Sequence, residues 1–509
     1  MSKRYVRTLG LLAIAAAWVL ILSLFARDSV PAVYAGDVAW PDAGTVAVRA
    51  STQFSPTAWV YLPVVTSSPS GPVRRVNAPY FNGSVRSSEA AIFWFGRVNS
   101  SENYADVRVG YDDSEFYLQL AAFDRRLWYS TAPSPADLTA WDAATLYLDL
   151  DGNAGSTPDA NAYRFQGQLN WWEPRASYQT VYRGNGSSWV MATVPFSATT
   201  GWRGDAPNSD ADDRGWVATF EIPFTSLGLS GPPPQGTVWG MAMALHDRDS
   251  AAGPSLANKS WPEAMVETSP RTWGQVAFGL PVYTPPQATP GGTVTIRHKL
   301  DGATVQDAAV GGYTLCGAGT DFWTQWGDTN ESFYNSEHSI FNVQNQSDIA
   351  DWPCFSKYYV TFPLDAVLSG KAILSATLTL HQMGNAGDIN DPDPDNRPKP
   401  SLIQVLTVAD DWDEATLTWN NAPLALENVG QAWVQPIQGC GSSIPWPCVA
   451  RTWDVSYAVA KAYAAGQPLR LALYSADSDY HSGKYFTSSE TGDWNEVGRP
   501  TLQVVWGNP

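Results

Sequence analysis

The sequence predicts an all-β protein built as two jelly-roll-like β-sandwich domains. Three observations predict it. Short runs alternating apolar and polar residues recur along the chain, no long helical period appears, and a Pro/Gly-rich stretch divides two strand-rich blocks.

In the first block, residues 107–111 and 116–120 alternate around the turn-forming Asp112-Asp113-Ser114, which predicts a hairpin. Residues 145–150, 216–222 and 239–245 repeat the pattern, with Gly, Pro and Asn between them. The second block places strands at 358–362, 376–380, 403–408, 469–474 and 502–506. Its one helix is expected over 455–465, rich in Ala and stopped by Gly466. Residues 281–292, with four prolines and a closing Gly291-Gly292, read as the linker between domains at 72–280 and 293–509.

Ahead of both domains, Lys3, Arg4 and Arg7 precede an apolar run over residues 9–25 and a small-residue cleavage site at Val33-Tyr34-Ala35. That is a signal-peptide layout for residues 1–35, and the run is long enough to act as an uncleaved anchor. Either outcome places the protein outside the cell, secreted or attached at the surface, with membrane contact through that segment alone. Residues 36–71 form a Pro, Ser and Thr-rich linker, interrupted by the apolar patch 59–65 as one docking strand.

A net charge of −18 excludes nucleic acid as a partner, because phosphate recognition needs Lys and Arg in excess. The four cysteines, Cys316, Cys354, Cys440 and Cys448, are expected to pair in an oxidising compartment. Three connectivities exist. The short separation of Cys440 and Cys448 favours a loop staple there and a second bridge from Cys316 to Cys354, whereas zinc is disfavoured because no CxxC spacing occurs. No GxSxG, HExxH or phosphate-cradling loop is present, and the histidines His246, His298, His338, His381 and His481 are scattered. A noncatalytic protein is expected, although paired carboxylates for glycoside hydrolysis assemble in space rather than in sequence.

The first block resembles family 9 carbohydrate-binding modules and, more broadly, DOMON-like sandwiches. The resemblance is carried in order by residues 107–112 with Phe116-Tyr117-Leu118, by Trp141-Asp142 leading into Leu146-Tyr147-Leu148-Asp149, and by Glu221-Ile222-Pro223-Phe224. It continues through Trp239-Gly240, His246-Asp247, Ser260-Trp261-Pro262-Glu263 and Trp273-Gly274-Gln275-Val276. It implies a sugar held between two indole faces, the first at Trp141, with Arg164 as a sugar-contacting arginine. The second indole should fall near Glu267, where this chain has Met265, Val266, Glu267 and Thr268. The sandwich is then open on one side or closed by Trp261, Trp171 or Trp172. Trp141 reads equally as a core lid, Arg164 as the partner of a carboxylate, and adjacent Trp171-Trp172 as an exposed platform, since extended neighbours point to opposite faces.

Structural calcium is also implied by the resemblance. Asp149, Asp151, Asn153 and Asp159 gather oxygen ligands around a turn without the glycine position or terminal Glu of an EF-hand, so an Asx-rich loop competes with calcium. Asp391, Asp393 and Asp395 read as a solvated acidic loop. DOMON-like sandwiches also hold haem, but Met241 and Met243 share one strand face and His246 the other.

The second block resembles DNRLRE-type extracellular sandwiches. The carriers are Val360-Thr361-Phe362, the segment 376–380, the long motif 412–423 from Trp412 to Pro423, Trp453-Asp454-Val455 and Arg499-Pro500-Thr501-Leu502. An internal pair of Glu490 with Arg499 is expected. The function this implies is a secreted protein that binds polysaccharide or oligosaccharide in extracellular carbohydrate catabolism, beside glycoside hydrolases. The alternatives are a cell-surface adhesion protein and a haem-binding redox protein.

Overall fold

The computed structural model describes residues 72–152, 155–311, 321–330, 339–345, 355–441, 443–477, 479 and 481–509. The expected signal peptide, the linker 36–71, Asn153, Cys316 and Cys354 lie outside the described residues.

The first unit contains β1 (Arg75–Ala78), β2 (Ala91–Asn99), β3 (Glu102–Tyr111), β4 (Glu115–Phe123), β5 (Ala143–Asp149), β6 (Ala162–Gln168) and β7 (Gln179–Gly184). It continues with β8 (Trp189–Met191), β9 (Ser197–Arg203), β10 (Gly215–Pro223), β11 (Val238–His246), β12 (Lys259–Trp261) and β13 (Gly274–Phe278). One sheet has the order β2-β3-β4-β10-β9. It packs on the run β13-β11-β5-β6-β7-β8, with a core between them that includes Val107, Leu118, Leu146, Phe165, Phe220, Met241 and Met243. The β3–β4 turn forms as expected: Asp112 Oδ1 accepts the N–H groups of Ser114 (2.7 Å) and Glu115 (3.0 Å), fixing the hairpin register.

The second unit contains β14 (Thr289–Arg297), β15 (Gln306–Gly311), β16 (Ile340–Val343), β17 (Ser356–Phe362), β18 (Ala372–Asn385), β19 (Ser401–Val408), β20 (Ala425–Val434) and β21 (Val449–Asp454). The helix α1 (Ser456–Ala464), β22 (Leu469–Ser475), β23 (Lys484–Thr487) and β24 (Thr501–Asn508) complete it. The run β15-β17-β22-β19-β20 faces β14-β24-β18-β23-β16 across a second core. The all-β sandwich architecture is thus that of the sequence pattern, down to the helix and its stop at Gly466. No helix among the described residues is long and apolar enough to cross a membrane.

Two features of the junction differ from the sequence reading. The expected linker 281–292 ends early, because β14 already begins at Thr289 and pairs with β24. Gly291 serves close packing here: a Cβ on it would stand 2.1 Å from the Trp506 ring. The two units also share structure. β1 pairs in parallel with β13 and, through Arg75 opposite Glu427, with β20, so the inner sheets join into one.

A third apolar cluster lies between the units and combines Ile92, Trp94, Tyr104 and Phe123 with Trp326, Tyr359, Trp419 and Tyr474. Buried polar groups stitch it. Asp106 accepts from Tyr104 Oη (2.5 Å), Asn345 Nδ2 (2.9 Å) and Tyr474 Oη (2.9 Å), while Lys357 Nζ donates to Tyr104 Oη (2.7 Å) and sits 3.6 Å from the Trp419 ring centre. Burial drives the Lys357 ammonium well below the ordinary lysine range, with the Asp106 charge opposing it. The 412–423 motif therefore has a structural role, since its Leu417 and Trp419 are buried in this shared core.

Candidate functional site

Alternation in β5 sends Ala144, Leu146 and Leu148 into the first core and places Thr145, Tyr147 and Asp149 on the opposite face. Arg164 lies opposite Tyr147 on β6, and Tyr182 opposite Arg164 on β7. The Arg164 guanidinium packs 4.0 Å from the Tyr182 ring centre and 5.6 Å from that of Trp189. Its Nη1 lies 3.9 Å from Glu267. The carboxylate therefore occupies the place where the resemblance called for a second indole. Trp189 and Trp273 lie parallel beside it, 6.3 Å apart at an interplanar angle of 3°. Trp273 entered the sequence reading only as a carrier of the family resemblance and Trp189 not at all, since no spacing sets them apart from core aromatics.

Trp141 is remote from Arg164. It precedes β5, whereas Arg164 pairs with Tyr147 six residues further on, roughly 20 Å at strand rise. Trp141 is half-buried, with the Arg248 guanidinium 4.4 Å over its ring. Arg248 is held by the carbonyls of Ala140 (2.9 Å) and Ser250 (2.8 Å), so one face of this indole is already covered.

Trp171 and Trp172 emerge at the same sheet end as Trp141. The Leu169 N–H donates to the Asp142 carbonyl (2.8 Å), extending the β5–β6 ladder by one residue and bringing both loops out together. The two indoles stack on each other with centres 4.7 Å apart, and Trp202 meets Trp171 edge-on at 5.2 Å. They are 43% and 78% exposed. Glu173 fixes the loop: its Oε2 accepts the N–H groups of Trp171 (3.1 Å) and Trp172 (3.0 Å), and its Oε1 accepts from Tyr129 Oη (3.0 Å). Burial alone would raise this carboxyl, but these donors hold it below the ordinary glutamate range.

Trp261 requires a correction. It is 1% exposed and packs in the core with its ring 4.3 Å from that of Phe93, against Gly274, where a Cβ would stand 2.7 Å from the indole. Such a ring cannot close a sugar site. Of the five sequence candidates, the structure gathers Trp141, Trp171 and Trp172 at one end, places Arg164 elsewhere on the sheet and encloses Trp261.

Two groups of carboxylates have the spacing of a cation site. Asp149, Asp151 and Asp159 present oxygens within 4.8 Å of one another. Burial, followed by the neighbouring Asp151, raises Asp149 to about 7. Asp159 Oδ1 also accepts the Asn161 N–H (2.7 Å), which is the Asx turn that competes with calcium. The second group escaped the sequence reading: Asp124, Asp142 and Asp247, all buried, also lie within 4.8 Å of one another. Asp142 accepts the N–H groups of Trp128 (2.6 Å) and Arg248 (2.9 Å), while Asp124 Oδ2 and Asp247 Oδ1 have no hydrogen-bond partner among the described residues. Burial and then the neighbouring carboxylates push Asp124 and Asp142 well above the ordinary range; burial and Asp249 raise Asp247 to about 7. Hard oxygen donors left unsatisfied in a dry site fit Ca²⁺.

The remaining expectations fall out simply. Met241 and Met243 are core residues, and His246, on the other face, meets Thr145 Oγ1 (2.8 Å) and Asn258 Oδ1 (3.1 Å) through its two ring nitrogens. Asp391 and Asp393 each accept the N–H two residues on, at 2.9 and 3.0 Å, making an exposed Asx-turn loop. Cys440 and Cys448 are disulfide-bonded. Arg499 pairs with Asp493 (2.5 Å) rather than with Glu490: its Nε is held by the Thr491 carbonyl (2.8 Å), whereas Glu490 accepts from Ser489 Oγ (3.4 Å), which also donates to buried Asp307.

Residues 313–504 match the model of carbohydrate-binding module family 96. The second unit is thereby matched to a carbohydrate-binding module family. No curated protein matches the chain. Among solved structures, the chain is similar to a carbohydrate binding module family 9 from Caldicellulosiruptor kristjanssonii in complex with cellotriose, at 15% identity and a TM-score of 0.29, over 42% of this chain and 100% of that one. The complex of a family 9 module from the same organism with glucose gives the same values. A putative carbohydrate-binding protein from Bacteroides uniformis is 11% identical over 40% of this chain and 99% of its own, with a TM-score of 0.31.

Proposed function

We propose that this chain is a secreted, noncatalytic polysaccharide-binding protein, and that its first unit engages glycan on the Trp171–Trp172 platform. The observation that carries this reading is the bared, stacked indole pair on a loop braced by Glu173. The C–H face of a pyranose packs on an electron-rich ring, and a ring fixed beforehand loses little conformational entropy on binding. Trp141, at the same sheet end, offers a further surface to a long chain.

Calcium belongs to this reading as a structural ion. Asp124, Asp142 and Asp247 would hold it, and the ion would balance three buried carboxylates that only the Lys259 charge beside Asp247 otherwise opposes, tying together the loops that carry Trp141 and Arg248. The finer DNRLRE-type assignment of the second unit rests on its 412–423 motif. A role beside extracellular hydrolases follows from the kind of ligand and from the signal-peptide layout.

The test is retention on insoluble polysaccharide. The full chain should partition onto at least one of amorphous cellulose, insoluble xylan and insoluble mannan. Trp171→Ala/Trp172→Ala should lose about tenfold in apparent affinity with an unchanged thermal melt. Equal retention of the variant and the parent would refute the platform.

A further inference from the structure

One stretch of chain touches both the carboxylates of Asp124, Asp142 and Asp247 and the brace of the Trp171–Trp172 loop. From Asp124 the chain crosses from β4 to the turn Leu138–Ala140 without strand or helix. Such a stretch takes its shape from bonds to other segments, not from a ladder of its own. Asp124 Oδ1 accepts the Arg126 N–H (3.0 Å). Asp142 Oδ2 accepts the Trp128 N–H (2.6 Å), while the Asp142 N–H donates to the Trp128 carbonyl (3.0 Å). The next side chain, Tyr129, is buried, and its hydroxyl donates to Glu173 Oε1 (3.0 Å). Glu173 Oε2 in turn holds the N–H groups of both indole residues. On its other side the stretch leans on Asn208 and Asp213, in the β9–β10 connection, which has no strand either.

Asp142 anchors the remaining aromatic of this sheet end as well. Its Oδ1 accepts the Arg248 N–H (2.9 Å), and the Arg248 guanidinium covers one face of Trp141. Its backbone carbonyl accepts the Leu169 N–H (2.8 Å), two residues before Trp171. Asp142 is thus a common footing for the loops that bear the three indoles. Asp124 Oδ2 and Asp247 Oδ1, buried and without a hydrogen-bond partner among the described residues, call for a cation as the missing partner. Held around one ion, the three carboxylates fix the Trp128 N–H in place. Three carboxylates alone in a dry site repel one another, and their parting moves Trp128 and Tyr129 with them.

We propose that glycan binding at Trp171 and Trp172 is calcium-dependent, because Trp128, Tyr129 and Glu173 carry the position of Asp142 to the loop that displays the two indoles. The inference rests on the reading of that pair as the glycan platform and adds its regulation. Tyr129 is a positioning residue: its hydroxyl bonds to Glu173, not to the carboxylate group. Linkage makes the effect reciprocal, so a bound glycan raises calcium affinity by the factor by which calcium raises glycan affinity.

The full chain, stripped with EDTA and reloaded with CaCl2, tests it through two readouts: the melting temperature, and depletion isotherms on amorphous cellulose, insoluble xylan and insoluble mannan. Calcium should raise the melting temperature and tighten retention of the parent by about fivefold or more. Tyr129→Phe, which keeps the buried ring, should show the same rise in melting temperature, while its retention stays at the level of the parent in EDTA and no longer responds to calcium. Asp142→Asn should lose both responses. Parent retention that is equal in calcium and in EDTA, beside a calcium-dependent melt, would overturn the coupling and leave the platform standing. A Tyr129→Phe isotherm that still tightens with calcium would do the same. A melt indifferent to calcium, or a calcium response that survives in Asp142→Asn, would remove the ion from these three carboxylates and the inference with it. A parent that none of the three glycans retains even in calcium would refute the platform itself.

Discussion

Glu173 holds two indoles in the open without touching either ring, through their backbone N–H groups and Tyr129 Oη. Removing that carboxylate frees the loop rather than the fold. Glu173→Ala should therefore weaken glycan retention several-fold while lowering stability by no more than about 1 kcal/mol, measurable by depletion and by urea unfolding. A parent-like isotherm would show that the loop needs no brace. Glu414 makes a different case. Burial, then the charges of Asp307 and Glu490, raise its carboxyl to about 7. Because its proton is retained in the folded chain after the unfolded chain has released it, Glu414 removes stability as pH climbs from about 4 to about 7. Glu414→Gln should flatten the fall in melting temperature across that range; an unchanged slope would assign the effect to other groups.

Among the elements, the strands and α1 were legible because alternation and the Gly466 stop are local signals. The covering of one strand face by the other unit was not. Val107, Val109 and Tyr111 enter the first core as their pattern requires, but Arg108, a polar position of that alternation, is buried beneath the second unit together with Asp106. The one available hint was β2, where Ile92 and Trp94 are as apolar as Phe93 and Phe95 on the other side. The site shows the same limit. Adjacent Trp171 and Trp172 read as exposed but on opposite faces, and are instead stacked on one another in the open because their loop is not extended, whereas Trp261, another candidate, is a core residue. Asp124, Asp142 and Asp247 converge only because three separate loops meet at one sheet end, so no spacing reveals them. If they hold calcium, saturating Ca²⁺ should raise the melting temperature of chelator-treated protein by several degrees, and Asp142→Asn should abolish most of that rise. An identical melt with calcium and with chelator would exclude the ion.

For the whole molecule, the shared sheet and the Trp94, Tyr104, Trp419 and Tyr474 cluster make the two units one cooperative body. Calorimetry should give a single transition for the full chain, and Trp419→Ala should cost about 3–5 kcal/mol while destabilising both units together. Two separable transitions would contradict that coupling.

The most direct measurement is isothermal titration of the full chain with soluble cello-, xylo- and manno-hexaose, beside Trp172→Ala. The parent is predicted to bind at least one of them, and Trp172→Ala to bind that sugar about tenfold more weakly. Identical dissociation constants for the two proteins, or no binding of any hexaose by the parent, would contradict the account.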